Sequence, residues 1–496
     1  NKRESKRYNM IIVQELIKNA ITHPKKTAII AEGQEYSYEW LARHVIASAC
    51  FLKEQGIKKG DRVMFGAGKS VDFVLMYFGS HAASAIAQPV NMKLGQDKLE
   101  YIFDHSEPAY LWYPEEKISK DLNPKNFVLT EIEKYLPDDI RNYTIDVSEE
   151  DTADLLFTTG TTGNPKGVVL SHLNITAGAV NTNEFIGNTT EDREIVPLPL
   201  FHAFGLRRLR TNMLLGGSVV MIDGFMRPDL IFEGFEKWNA TGICMVPAGY
   251  GIIRKLTGDK LGDYKNQLKY IEFGSSPMKM EDKIQISKLL PKTKICMHYG
   301  LTEAAANIFI EFHESFKKLH SLGQPSPNTH IRIGDEQGNA LNTGEVGEIL
   351  VHGNVLMKGY WKDEEGTKNA FVQGWLRTGD IGFKDDSGYV YMKGRKDDII
   401  NIGGKKVSPQ EVEQQLNSLH GVDESACISI DDPSGIRGKV IKAFVVLKNN
   451  ENSDVTLLKN ELKKHLEAYK IPEVFEIVNN LPKTASGKLQ RDKLRR

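Results

Sequence analysis

The chain has 496 residues, with 64 Lys and Arg against 65 Asp and Glu, a formal net charge of -1 and four cysteines. That length holds roughly two to four structural units and a sizeable buried core. The even charge excludes the whole molecule as a nucleic-acid binder on electrostatic grounds.

In chain order, the start is basic and then apolar. Gln14, Glu15 and Lys18 interrupt the apolar part too early for a signal peptide, and Ile11, Ile12, Leu16 and Ile17 have helical spacing. No apolar run reaches the roughly 18 residues of a spanning helix. Cys50, Cys244, Cys296 and Cys427 lie far apart, so no pair has metal-ligand spacing. Single thiols in Ile/Val-rich surroundings read as buried, reduced groups of a cytoplasmic protein. The spacing predicts a strand over 61–65, a helix over 70–81, a short apolar run over 84–89 and a helix over 99–103.

Residues 155–172, LLFTTGTTGNPKGVVLSH, run from an apolar strand into a Thr/Gly loop and a second apolar run. Glycines let a backbone curl and turn its N–H groups inward. Thr158, Thr159, Thr161 and Thr162 add hydroxyl donors, and Lys166 adds a mobile positive charge. Such a loop suits a polyphosphate, although by composition alone it fits a surface turn as well. The order around Gly160, Gly163, Lys166 and Gly167 is not that of the P-loop.

Apolar runs at 196–200, 218–222, 242–246, 270–273 and 294–298 alternate with helical intervals, which predicts α/β layers with mostly parallel strands. Near residue 320 the texture turns to short strands (330–333, 347–352, 388–392) separated by Gly, Asp and Asn turns, an antiparallel β module. The charged stretch 394–398 reads as a boundary. Ser408, Pro409 and Glu411 then form a capping-box pattern at a helix start. The expected fold is α/β: a large domain over 1–394 with a β-rich part at about 320–394, and a small α+β domain over 395–496.

The string 155–172 resembles the phosphate-binding signature of the adenylate-forming superfamily of acyl-CoA synthetases, peptide-synthetase adenylation domains and luciferases. Five further segments match that family in order, so the resemblance covers nearly the whole chain. In Tyr299-Gly300-Leu301-Thr302-Glu303-Ala304, it implies that Tyr299 stacks on adenine, Thr302 bonds the α-phosphate and Glu303 helps hold Mg²⁺. Read locally, the same segment is a helix start capped by Thr302. Gly274-Ser275-Ser276-Pro277 would border adenine and the acyl pocket, and is otherwise a plain turn. In the segment 374–380, Asp380 would accept both ribose hydroxyls; a lone Asp in such a turn more often caps backbone. In 394–407, Arg395 would contact ribose, Asp397 would be the hinge of a mobile small domain, and Gly403 and Gly404 would line a thiol channel. In 482–491, Lys488 would reach the carboxylate and α-phosphate; charge alone reads as a solvated basic tail.

The segment 201–205 resembles the border of the carboxylate pocket and places His202 there as a wall or gate. Relatives that activate amino acids carry an Asp in this segment, and this chain has none. Arg207, Arg208 and Arg210 read either as paired arginines on a partly exposed helix or as recognition of an anionic acyl group. Gly249 and Ala248 suggest room for a medium-chain fatty, aryl or larger cyclic acid.

The resemblance implies an AMP-forming acyl-CoA ligase that uses ATP, Mg²⁺ and coenzyme A, with a place in fatty-acid metabolism. It would be a monomer or homodimer. The alternatives are a free-standing enzyme loading an acyl carrier protein and a non-catalytic nucleotide-binding protein.

Overall fold

The computed structural model describes residues 10–66, 68–91, 94–112, 129–158, 165–398, 400–402, 405–432, 439–448, 454–484 and 489–495. The chain divides into two compact units, residues 1–331 with 351–376, and residues 332–350 with 377–496.

The first unit carries two sheets. The nine-stranded sheet runs Gln324–Pro325, Ala304–Glu311, Lys294–Leu301, Tyr270–Phe273, Gly242–Met245, Arg193–Val196, Ser218–Met221, Thr27–Ala31, Gln34–Ser37. Its centre is parallel and its two ends are antiparallel. The six-stranded sheet runs Gly359–Tyr360, Lys166–Ser171, Thr152–Thr158, Ile86–Val90, Arg62–Gly66, Tyr110–Trp112. The central strands are buried on both faces and mostly apolar, with Glu194 and Glu272 as charged exceptions. Helix Ile12–Thr22 turns Ile12, Val13, Leu16, Ile17 and Ala20 inward, as its spacing predicts.

The expected strand over 196–200 ends at Val196. Pro197 and Pro199 cannot donate to a ladder, so the run continues as a loop. The helix start expected at Thr302 is a hairpin turn: Leu301 pairs with Ala304, leaving Thr302 and Glu303 as the two-residue connection. Asp380 is not in a turn but inside the ten-residue strand Trp375–Lys384.

Helix Ala203–Leu215 corrects the expectation of a partly exposed element. Arg207, Arg208 and Arg210 are all buried, at 2%, 0% and 3% exposure. Arg208 reaches Glu194 through Nε at 2.6 Å and Glu272 through a second nitrogen at 2.9 Å. Arg207 donates to Glu272 at 2.7 Å and to the Thr182 hydroxyl. Arg210 pairs with Asp154 and donates to the Tyr77 hydroxyl at 2.6 Å. Glu194 and Glu272 lie on strands of the large sheet and Asp154 on the smaller one, so one helix ties both sheets together by charge. Buried charge is tolerated only when paired and hydrogen-bonded. Burial alone would raise the Glu272 carboxyl, but Arg207, Arg208 and His298 hold it below the usual carboxylate range.

In the second unit, strands Val422–Asp431, Lys439–Leu447 and Val474–Ile477 form a sheet. Helices Pro409–Ser418 and Val455–Leu462 cover it through Val412, Leu416, Leu458 and Leu462. The capping box expected at Ser408 is absent. Its hydroxyl donates to the Lys393 carbonyl, and proline at the first helical position needs no donor partner. Arg491, expected in a solvated tail, makes two 2.6 Å bonds to the buried Glu413 and pairs with Asp398 at 3.3 Å.

Replacing Arg208 by Met would leave Glu194 and Glu272 short of a cation. Urea unfolding should show a loss of about 3–5 kcal/mol, and a loss under about 1 kcal/mol would contradict the pairing argument. His81 is buried against Asp154 at 3.0 Å. Burial, then Arg210, pushes its pKa down to about 3. The unfolded chain takes up this proton below the ordinary 6.5, while the folded chain refuses it until about 3. Acid therefore favours unfolding across that window. Between about pH 5.5 and 4, wild type should lose roughly 1.4 kcal/mol per pH unit relative to His81→Gln. Parallel pH profiles would refute the buried neutral state.

Candidate functional site

The site residues of the first unit collect where the Lys166 strand meets the turn at Thr302 and Glu303. Thr152–Thr158 and Lys166–Ser171 form an antiparallel hairpin with Thr158 opposite Lys166. The Thr158 hydroxyl donates to the Lys166 carbonyl at 3.5 Å. Thr159, Gly160, Thr161, Thr162 and Gly163, between these strands, lie outside the described residues. A Cβ at Gly167 would sit 3.0–3.2 Å from side-chain atoms of Leu155, Trp361 and Phe157, a tight fit that those side chains would have to ease. Lys166 Nζ lies 4.8 Å from the Tyr360 ring centroid and 3.7 Å from Asp363 Oδ2.

The turn bearing Thr302 and Glu303 is held by an irregular hairpin. Its register shifts between Tyr299 and Leu301, and Ala306 adopts a φ of 54°. A Cβ on Gly300 would sit 2.7 Å from the Ala306 nitrogen, which explains the glycine. The Glu303 carbonyl accepts from the Met357 N–H at 2.8 Å, and its carboxylate accepts from the Tyr360 hydroxyl at 2.9 Å. The structure therefore joins Lys166 and Glu303 through Tyr360, a residue the sequence reading missed. No local signal marks Tyr360. It arrives because Gly359 and Tyr360 pair with Val169 and Val168 at the sheet edge.

Glu303 is partly exposed and has one carboxylate oxygen engaged by Tyr360. Among the described residues no group of three His, Cys, Asp or Glu could hold a metal ion. One hard carboxylate suits Mg²⁺ that arrives with phosphate oxygens rather than a protein-caged ion, so the donor set fits that use.

Gly274 and Phe204, both expected at the acyl side, lie against His298. A Cβ on Gly274 would fall 2.0 Å from the His298 ring, so that glycine makes room for the imidazole. Ser275 follows at a φ of 72°, a left-handed turn, with Ser276 and Pro277 beyond it. His298 Nδ1 lies 2.8 Å from Glu272, and Phe204 meets its ring edge-on at 4.4 Å. Burial, then Arg207, lowers the His298 pKa and keeps the ring neutral. His202 is exposed just before helix Ala203–Leu215, with its ring against Phe201 at 4.3 Å. The room inferred from Gly249 is filled: a Cβ there would be 2.7 Å from the Phe225 ring. Lys69, also missed, is a partly buried side chain whose amine donates to the carbonyls of Val196 (2.8 Å) and Leu198 and so anchors the loop leading to His202. Burial lowers its pKa to about 7.

In the second unit, Asp380 and Arg395 are cross-strand partners, and their side chains pair at 3.1 Å. Gly379, at a φ of 70°, would carry a Cβ 3.2 Å from the Arg395 guanidinium, so glycine admits the arginine. Glu348 braces this pair's neighbours, taking Arg377 at 2.7 Å and the Gly379 N–H at 3.2 Å. Asp397 falls in the short turn Lys396–Asp398. Gly403, Gly404 and Lys488 lie outside the described residues.

Comparison with known proteins agrees with this geometry. The profile of the family described as AMP-binding enzyme matches residues 16–361, and that of the AMP-binding enzyme C-terminal domain matches residues 411–488. A feruloyl-CoA synthase from Amycolatopsis sp is 30% identical over 490 residues, covering 97% of both chains. A long-chain-fatty-acid–CoA ligase from Bacillus subtilis (strain 168) is 30% identical over 526 residues, covering 97% of this chain and 93% of the other. The crystal structure of ATP-bound MatB from Rhodopseudomonas palustris superposes with a TM-score of 0.88 at 28% identity, covering 98% of each chain. With two matched profiles spanning most of its length, the chain belongs to the AMP-binding enzyme family.

Proposed function

We propose that this AMP-forming acid–thiol ligase activates an uncharged-tailed monocarboxylic acid, fatty or aryl, and passes it to coenzyme A. The observation that carries the choice of acid is the arginine helix. Arg207, Arg208 and Arg210 are matched by the buried carboxylates Glu194, Glu272 and Asp154. No charge in that group is left over for a second substrate carboxylate, and Phe204, Val246 and Ala304 add apolar walls. Relatives of equal identity carry names with different acids, feruloyl, long-chain fatty and 2-succinylbenzoate, so their names do not choose the acid.

A carboxylate is a poor electrophile, and two anions must meet for it to attack ATP. Alignment and positive charge around the α-phosphate address both problems. In our reading Lys166 and the Thr/Gly loop hold the outer phosphates, Thr302 the α-phosphate, Tyr299 the adenine, and Asp380 and Arg395 the ribose. Mg²⁺, when bound at Glu303, would neutralise charge on the departing pyrophosphate. Lys488 steadies the carboxylate and the α-phosphate during adenylation only. Gly403 and Gly404 serve the incoming thiol, and Asp397 acts as the hinge between the two half-reactions. The described thiols are unpaired, which fits a reducing compartment.

Pyrophosphate release should require ATP and a monocarboxylic acid, and coenzyme A should accelerate it. Preference for dicarboxylic acids would overturn the pocket assignment, and acceleration by a carrier protein instead of coenzyme A would replace the acceptor. Lys488→Ala should lower adenylation by about a hundredfold or more while leaving thiolation of supplied acyl-adenylate within about threefold of wild type. Equal losses in both steps would contradict the divided role.

A further inference from the structure

Tyr360 is used at both ends. Its ring lies beneath the Lys166 ammonium at 4.8 Å, and its hydroxyl donates to Glu303 at 2.9 Å. The surrounding backbone fixes this placement. Tyr360 sits opposite Val168, Trp361 N–H donates to the Gly167 carbonyl at 2.7 Å, and Met357 N–H donates to the Glu303 carbonyl at 2.8 Å. The segment 357–361 therefore staples the strand carrying Lys166 and the turn carrying Glu303 at once. Tyr360 N–H is itself taken by the Thr367 hydroxyl at 2.8 Å, at the edge of helix Glu364–Ala370. Trp361 and His105 exchange bonds at 3.1 and 3.2 Å, which anchors the far side of the segment.

An ammonium and a carboxylate left free at one site would find each other and cancel. A phenol between them satisfies the carboxylate with a neutral donor and the ammonium with a π face. Among the described residues the ammonium is otherwise met only by the longer, partly exposed Asp363 contact at 3.7 Å, which a ligand's charge can replace.

We infer that Tyr360 is a positioning residue of the nucleotide site, holding Glu303 and Lys166 apart and aimed for a polyphosphate. This rests on the reading of Lys166 and Glu303 as nucleotide-binding, and the test separates the two. ATP is titrated calorimetrically, with magnesium chloride present and no acid, into wild type, Tyr360→Phe, Tyr360→Leu, Lys166→Ala, Glu303→Gln and the double variant Tyr360→Phe/Glu303→Gln. Tyr360→Phe keeps the ring and loses only the hydroxyl. It should weaken ATP about tenfold, with Tyr360→Leu weaker still and the melting temperatures of both unchanged. The double variant should bind no more weakly than Glu303→Gln alone, because the hydroxyl acts through that carboxylate. In turnover the loss should appear in KM for ATP and not in kcat.

Wild-type binding by Tyr360→Phe, with Lys166→Ala and Glu303→Gln impaired, would overturn the inference and leave the nucleotide reading intact. Additive losses in the double variant would likewise overturn it. Wild-type binding by Lys166→Ala and Glu303→Gln as well would overturn the nucleotide reading itself.

Discussion

The buried ion-pair set on helix Ala203–Leu215 is the constraint on which the rest of the first unit depends. Three arginines, two glutamates and an aspartate are removed from water within one helix's length. The desolvation cost of such a set is large, and it is offset only when geometry is tight and every lone pair is answered. Here Tyr77, Thr182, Tyr270 and Asn212 add hydrogen bonds to the ion pairs. The result is directional, unlike apolar packing: it fixes the rotation and depth of the helix against both sheets. Its first residues, Ala203 and Phe204, and the preceding His202 are positioned as a consequence. Gly274 and His298 close on the same cluster through Glu272. A pocket wall built on paired charges presents little net field to its ligand, which is why the acid is read as uncharged beyond its reacting carboxylate.

The side proposed for the nucleotide follows a different rule. Lys166, Glu303 and Asp363 stay partly exposed, and their interactions are longer or borrowed through Tyr360. Exposed charges are weakly paired and can be exchanged for a ligand's charges at small cost. The molecule thus keeps its strongest electrostatics for architecture and its loosest for binding. Glycines at 274 and 300 mark where a ring or backbone must come close, and each has a named neighbour that a side chain would strike.

Much of this was readable in advance, and the failures share one cause. Strand Tyr270–Phe273 and helix Val71–Ala82 follow from local apolar patterning, and the structure agrees. Motif resemblance offered Asp380 and Arg395 as separate ribose contacts on a turn; that they pair with each other across two strands was not foreseen. What was missed depends on partners far away in sequence. An arginine-rich helix looks solvated until Asp154 and Glu272 are brought to it. Tyr360 looks like any strand-edge aromatic until the Lys166 strand and the Glu303 turn converge on it. Gly249 looked like space because nothing local announces Phe225. Patterning reports which face is buried, and it does not report what is buried there.

The central claim is that the acid is activated by joining it to AMP, with pyrophosphate leaving. The most direct measurement uses an acid labelled with oxygen-18 in its carboxylate, together with ATP and coenzyme A, and follows the label by mass spectrometry. The account predicts that one labelled oxygen is recovered in the phosphate of AMP, since the carboxylate attacks the α-phosphate and the acyl group later leaves that oxygen behind. Label recovered in inorganic phosphate alongside ADP would mean attack at the terminal phosphate, and would contradict the account.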